Sequence, residues 1–260
     1  MKMKILLGAF IILISFAKAQ PNIIPADSLV NWNFYGIGVA KIDHEQVYLK
    51  EFTNSVGVTL LSPKKYTGDV IMRYKLMPLT AATVCVAMLN MHNNDNYEIS
   101  IPNDYNGYVQ FWTQESSGYF FAFHNMPHNQ TPFVRRCDIK SQTNDKLQSG
   151  TKNVMFESRY YDVEVGKKGK RVWLKVDHEI VLDIEDEGEN FKKGYLALRI
   201  KDGRARCRTV SEGRDRWLLA SVHRPGSRLH RSDRGTAPER ARDHGVPGPR
   251  RSHQLRHTAQ

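Results

Sequence analysis

The sequence predicts an all-β sandwich, or jelly roll, on three observations. Short runs rich in Val, Ile, Tyr and Phe recur between residues 29 and 200. Clusters of Gly, Pro, Asn and Asp, such as Pro102-Asn103-Asp104 and Asn106-Gly107, separate them. No long segment sustains a helical period. Many short strands with turn punctuation bury their apolar sides by stacking two sheets.

The elements follow in order. Lys2 and Lys4 open the chain, residues 5–16 form a short apolar run, and Ala17-Lys18-Ala19 supplies the small residues of a cleavage site. Residues 1–19 therefore read as a signal peptide, with an exported chain from Gln20 onward; an uncleaved anchor is the alternative. A sandwich domain over 20–210 is predicted, with strands near 29–34, 46–52, 57–61, 69–76, 83–91, 97–101, 108–113, 119–124, 160–165, 171–176, 180–184 and 195–200, and a last strand near 203–210. Residues 126–150 read as a long polar loop. The hairpin of 172–184 is the clearest signature. Val172, Leu174 and Val176 alternate with Trp173 and Lys175, a tight turn falls at Asp177-His178, and Ile180, Leu182 and Ile184 resume the inward face.

Composition narrows the class. The net charge of +11 is concentrated at one end: residues 201–260 carry 15 Lys and Arg against 6 Asp and Glu. The domain itself is nearly neutral. Residues 211–260 are rich in Arg, Gly, Pro, His and Ser and lack the apolar surface to offset chain entropy, which predicts a disordered tail. Out-of-frame translation of a GC-rich coding sequence is the preferred account of that composition; a linker or genuine disordered tail and a basic arm for an acidic polymer are the alternatives. Three cysteines make no disulfide framework; one bridge, Cys85 to Cys137, is compatible, and a buried free thiol at Cys85 is the preferred reading. Asn129-Gln130-Thr131 fits a glycosylation sequon.

Segment 95–136 concentrates the chemistry. On strands, Tyr97, Ile99 and Ile101 would face the core while Glu98 and Ser100 face out. Val109 and Phe111 would likewise oppose Gln110, Trp112 and Gln114. Trp112 among amides and a carboxylate on an exposed sheet face suits sugar contact, the ring stacking on a pyranose and the amides bonding hydroxyls. His124 is the side chain suited to proton transfer near neutrality. Arg135 and Arg136 match the carboxylate of a uronic sugar or a sulfate, or form a solvated basic pair. His128 lies on the polar loop. Asn94 and Asp95 offer oxygens for a structural calcium, a plain turn being the alternative; no other cofactor and no metal centre is expected. The acid run Asp183-Ile184-Glu185-Asp186-Glu187 reads as a solvated strand end rather than a catalytic pair.

The order "VDHEIVLDIED" leading into "KGYLALRI" resembles the C-terminal part of the concanavalin A-like lectin/glucanase superfamily. The strand Asn96-Tyr97-Glu98-Ile99-Ser100-Ile101 resembles that of secreted 3-keto-disaccharide hydrolase-like, sugar-processing sandwich domains. The resemblance implies a concanavalin-like β-sandwich and makes Glu98 an acid/base or hydroxyl-binding carboxylate. The Glu-x-Asp-x-Glu run of the glucanase branch is missing. Two functions are expected: a saccharide-cleaving hydrolase using Glu98 and His124, or a non-catalytic carbohydrate-binding domain using the same face. Gln110, Trp112, Gln114, Arg135, Arg136 and His128 are the candidate substrate contacts in either. The expected partner is a saccharide or polysaccharide. Export argues against nucleic acid, no membrane span follows signal removal, and the pattern implies no particular oligomeric state.

Overall fold

The computed structural model describes residues 22–25, 29, 31–43, 46–124, 128 and 131–208. The signal peptide, Asn129 and Gln130 of the sequon, and the tail beyond 208 lie outside the described residues.

Two eight-stranded sheets face one another. The first runs β14 (Glu179–Glu185), β13 (Arg171–Val176), β12 (Tyr161–Lys168), β7 (Val70–Pro78), β16 (Arg204–Arg208), β4 (Gln46–Glu51) and β3 (Gly38–Asp43), with β1 (Asn22–Pro25) parallel to the start of β7. The second runs β11 (Thr143–Ser149), β10 (Phe133–Asp138), β9 (Ser117–His124), β8 (Val84–His92), β15 (Lys193–Lys201), β5 (Val58–Leu61) and β2 (Asn33–Gly36), and β6 (Tyr66–Thr67) pairs with the start of β15. Every pairing except that of β1 is antiparallel. Period-two alternation sends Leu49, Met72, Tyr74, Val163 and Leu174 of one sheet against Leu60, Leu89, Phe121, Leu196 and Leu198 of the other, forming the main core.

The predicted hairpin forms. Asp177 (φ 50°) and His178 (φ 68°) both take positive φ, the geometry that matches a two-residue turn to the strand twist. Asp177 also accepts the Asp162 N–H at 2.9 Å, tying the turn to β12. One detail departs: the register shifts between Leu174 and Lys175, so Ile180 pairs with Lys175 and points to solvent.

Three expected elements differ. Residues 97–101 are not a strand. The Asn94 carboxamide oxygen accepts the N–H groups of Asn96 and Glu98, and Asn93 exchanges two bonds with the Ser100 backbone. Asparagine side chains thus take the place of a strand partner, and Tyr97 sits at φ 59°. Residues 108–113 are not a strand either. Gln110–Thr113 form a single helical turn, α1, with Gln114 N bonding Gln110 O at 2.7 Å. The supposed polar loop of 126–150 contains the β10–β11 hairpin, whose polar edge strand β11 pairs, among the described residues, with β10 alone.

All three cysteines are free and buried, which removes the Cys85–Cys137 bridge. Burial pushes the Cys137 and Cys207 thiols up to about 12. Among the described residues no helix is long and apolar enough to cross a membrane.

Candidate functional site: a basic cleft on the outer sheet face

The second sheet is apolar on both faces. Its outer face carries Leu61, Val84, Val86, Met88, Phe120, Ala122 and Ala197. The connection between β8 and β9 folds over part of that face and presses Tyr105, Phe111 and Trp112 onto it. Trp112 is fully buried; its indole N–H donates to the Tyr105 hydroxyl and its ring meets Phe111 edge-on at 4.9 Å. Trp112 is therefore a clamp beneath the surface and not an exposed stacking platform. The reason is the one-turn helix: residues 108, 109, 111 and 112 are apolar at i, i+3 and i+4 spacing, so α1 has an inward side.

Gly107 makes the close fit possible. It takes φ +103°, and a Cβ there would lie 1.8 Å from the Gly57 carbonyl oxygen. The Arg199 side chain, 2 % exposed, secures the same spot by donating to the Val56 carbonyl at 2.6 Å and the Gly107 carbonyl at 2.8 Å.

The part of the face left uncovered is a cleft of about 320 Å³. Val84 and Val86 of β8 and Phe120 and Ala122 of β9 line its floor, with Val109, the residue before α1, and Thr113 of α1 on one wall. Phe133 and Arg135 of β10, Asn144 of β11, Arg199 and Lys201 of β15, and His128 complete it. Phe120 and Phe133 stack at 6.4 Å and 20°. Arg135 donates to the Asn144 carbonyl at 2.9 Å and to its side-chain oxygen at 3.3 Å, and its guanidinium lies 5.5 Å from the Phe133 ring centre. Among the described residues no carboxylate lines the cleft. The acid at its margin, Asp202, pairs with Lys201 at 2.9 Å and faces His128 at 4.0 Å.

Of the candidate site residues, the structure brings Arg135 and His128 to the cleft. Gln110 and Gln114 are exposed on and beside α1 and do not line it. Glu98, with a side chain 48 % exposed, is ion-paired to Lys65 and accepts the Tyr195 hydroxyl proton. The Lys65 and Tyr195 bonds hold its carboxyl below the usual range, opposite to what a general acid needs. His124 is fully buried, one ring nitrogen against the Thr83 carbonyl and the other without a partner. Glu98, His124 and Trp112 do not form one face.

Arg136 is also elsewhere. Successive strand residues point to opposite sides, so Arg135 enters the cleft while Arg136 enters the end of the sandwich. There it pairs with Asp186 and with Asp138 at 3.3 Å, and stacks 4.1 Å from the Phe191 ring centre. Asp186 is 2 % exposed and also accepts the Tyr119 hydroxyl at 2.7 Å. The acid run is thus not simply a solvated strand end: Asp183 pairs with Arg171 near the surface, but Asp186 is buried. The calcium candidates are engaged as well, Asn94 by the two backbone N–H groups and Asp95 by Lys140 at 2.7 Å. Among the described residues no group of three His, Cys, Asp or Glu is placed to hold a metal ion. Sequence reading missed Arg199 and Lys201; their spacing of two on a strand whose Ala197 faces outward was the available signal.

Burial lowers the pKa of His124 and of His92 below the ordinary 6.5, with hydrogen bonds to the Thr83 and Asn90 carbonyls opposing it. Below 6.5 the unfolded chain takes up protons that these folded rings refuse, so stability falls as pH drops through that value. Thermal unfolding followed from neutral pH downward should show this loss, and His124→Gln should flatten the slope. An unchanged slope would assign the acid sensitivity to His92 or to carboxylates.

No family model matches the sequence. No curated protein matches it either. Solved structures do. A Bacillus subtilis protein of unknown function with a galectin-like fold superposes with a TM-score of 0.59 at 13% identity, over 70% of this chain and 88% of that one. The carbohydrate-binding module CBM66 from Bacillus subtilis reaches 0.49 at 13% identity, over 69% of this chain and 93% of that one. The Emp47p carbohydrate recognition domain reaches 0.47 at 12% identity, over 70% and 93%. The chain has the galectin-like, concanavalin-like β-sandwich fold. Fold and site together define a sandwich domain with an apolar-floored, basic cleft on one sheet.

Proposed function

We propose that the chain is a non-catalytic carbohydrate-binding domain that holds a saccharide in the cleft over β8, β9 and β10. One observation carries this reading: the cleft pairs an aromatic and aliphatic floor with polar donors at its rim, and among the described residues no carboxylate lines it. Pyranose rings expose an apolar C–H face and a polar edge, which such a cleft complements. Glycoside cleavage by the usual route needs two carboxylates flanking the bond. Glu98, the acid that would serve in the hydrolase reading, is exposed away from the cleft and held ionised by Lys65 and Tyr195.

The test is to incubate the protein with a panel of plant and algal polysaccharides, scoring retention and new reducing ends or unsaturated products. Retention without product, unaltered by Glu98→Gln and weakened by Phe133→Ala, is expected. Product that disappears in Glu98→Gln would overturn the binding-only reading in favour of the hydrolase.

A further inference from the structure

The positive charge of the cleft meets a counter-charge only at its margin, where Asp202 pairs with Lys201 at 2.9 Å, and the Arg135 guanidinium has no acid partner among the described ion pairs. Arg135, Arg199 and Lys201 line it, and among the described residues neither Asp nor Glu does. Arg199 is the telling member. Its guanidinium is buried against two carbonyl oxygens, its Nε–H is buried without an acceptor, and burial lowers its affinity for its proton. Glu51 and Asp202 act on it only as through-space charges. Asp202 is committed to Lys201, and its own backbone N–H binds the Glu51 carboxylate. A buried cation balanced mainly by dipoles sets up a positive potential that a low-dielectric floor screens poorly. Arg135 adds a planar fork already held by Asn144 and Phe133, so little side-chain freedom is lost when an anion docks.

We propose that the cleft is selective for an acidic saccharide, a uronic-acid residue whose carboxylate docks on the Arg135 fork and competes with Asp202 for Lys201, in the field of Arg199, while its ring covers Phe133. This rests on the cleft being the saccharide site. A carboxylate is favoured because its two coplanar oxygens fit the guanidinium fork, and because the charged donors here belong to side chains and not to a cup of backbone N–H groups.

The experiment is calorimetric titration of the whole chain with oligogalacturonate, oligomannuronate and glucuronan oligomers, each against its neutral parent galactan, mannan or glucan. A sulfated galactan is the third arm. At least one uronate should bind about ten-fold or more tightly than its neutral parent, a difference of about 1.4 kcal/mol. That affinity should fall with added salt. Arg135→Gln and Lys201→Gln, each checked for an unchanged unfolding temperature, should lower uronate affinity about ten-fold and neutral binding by a clearly smaller factor. Equal or tighter binding of the neutral parents overturns the charge selectivity but leaves the saccharide site standing. Tightest binding of the sulfated galactan, or uronate binding indifferent to both substitutions, overturns the carboxylate assignment. Binding of no saccharide overturns the site itself.

Discussion

Trp112→Ala should cost about 3–5 kcal/mol, the range for deleting a large aromatic side chain from a packed site. The indole is fully buried among Tyr105, Phe111 and the outer face of the second sheet, so the loss leaves a cavity there. For a domain of this size that corresponds to a fall in unfolding temperature of roughly 10 °C. The consequence reaches the cleft, because Val109 and Thr113 flank Trp112 on the same helical turn and form a wall. Saccharide retention should fall with stability. Trp112→Phe keeps most of the apolar volume and gives up the bond to Tyr105, costing about 1 kcal/mol. A ring that served as a surface platform would behave the other way, with retention lost in Trp112→Ala and the unfolding temperature unmoved.

Asp186→Ala should be as severe, about 3–5 kcal/mol, because it strands a buried Arg136 guanidinium and leaves the Tyr119 hydroxyl without its acceptor. Asp138 offers Arg136 only a longer contact at 3.3 Å. Removing both charges together, as in Arg136→Met with Asp186→Leu, should cost less than Asp186→Ala alone, since no charge remains buried and unpaired. Asp183→Ala is the internal contrast. Its pair with Arg171 lies near the surface, where such pairs contribute at most about 1 kcal/mol. Chemical denaturation of the four proteins decides the matter; equal costs for Asp183→Ala and Asp186→Ala would deny Asp186 its buried role.

The strands that the sequence makes legible are those with one apolar and one polar side, or with β-branched runs bounded by turns. The β12–β13–β14 meander, β7, β8, β9 and β15 all fall within a few residues of expectation. β11 was not legible because an edge strand needs pairing on one side only and can be almost wholly polar, as Thr143–Ser149 is. Residues 97–101 alternate like a strand, yet Asn93 and Asn94 satisfy their backbone locally. Residues 108–113 are too short for alternation to be told from helical spacing, and the neighbouring sheet face decided between them.

At the site, the same limit separates Arg135 from Arg136. Period two already sends adjacent strand residues to opposite sides, so their opposite destinations were implicit once β10 was a strand. What lay on each side was not. The residue order by itself determined an all-β sandwich, its alternating inner core and the turn at Asp177-His178, because those follow from contacts between near neighbours along the chain. Only the tertiary structure decided that Trp112 is buried, that Glu98 is spent on Lys65 and Tyr195, and that Arg135, Arg199 and Lys201 meet in one cleft. Those outcomes depend on the β8–β9 connection closing over one part of a sheet face and leaving another part open, and on strands β10 and β15, more than fifty residues apart in sequence, bringing their cations to the same opening.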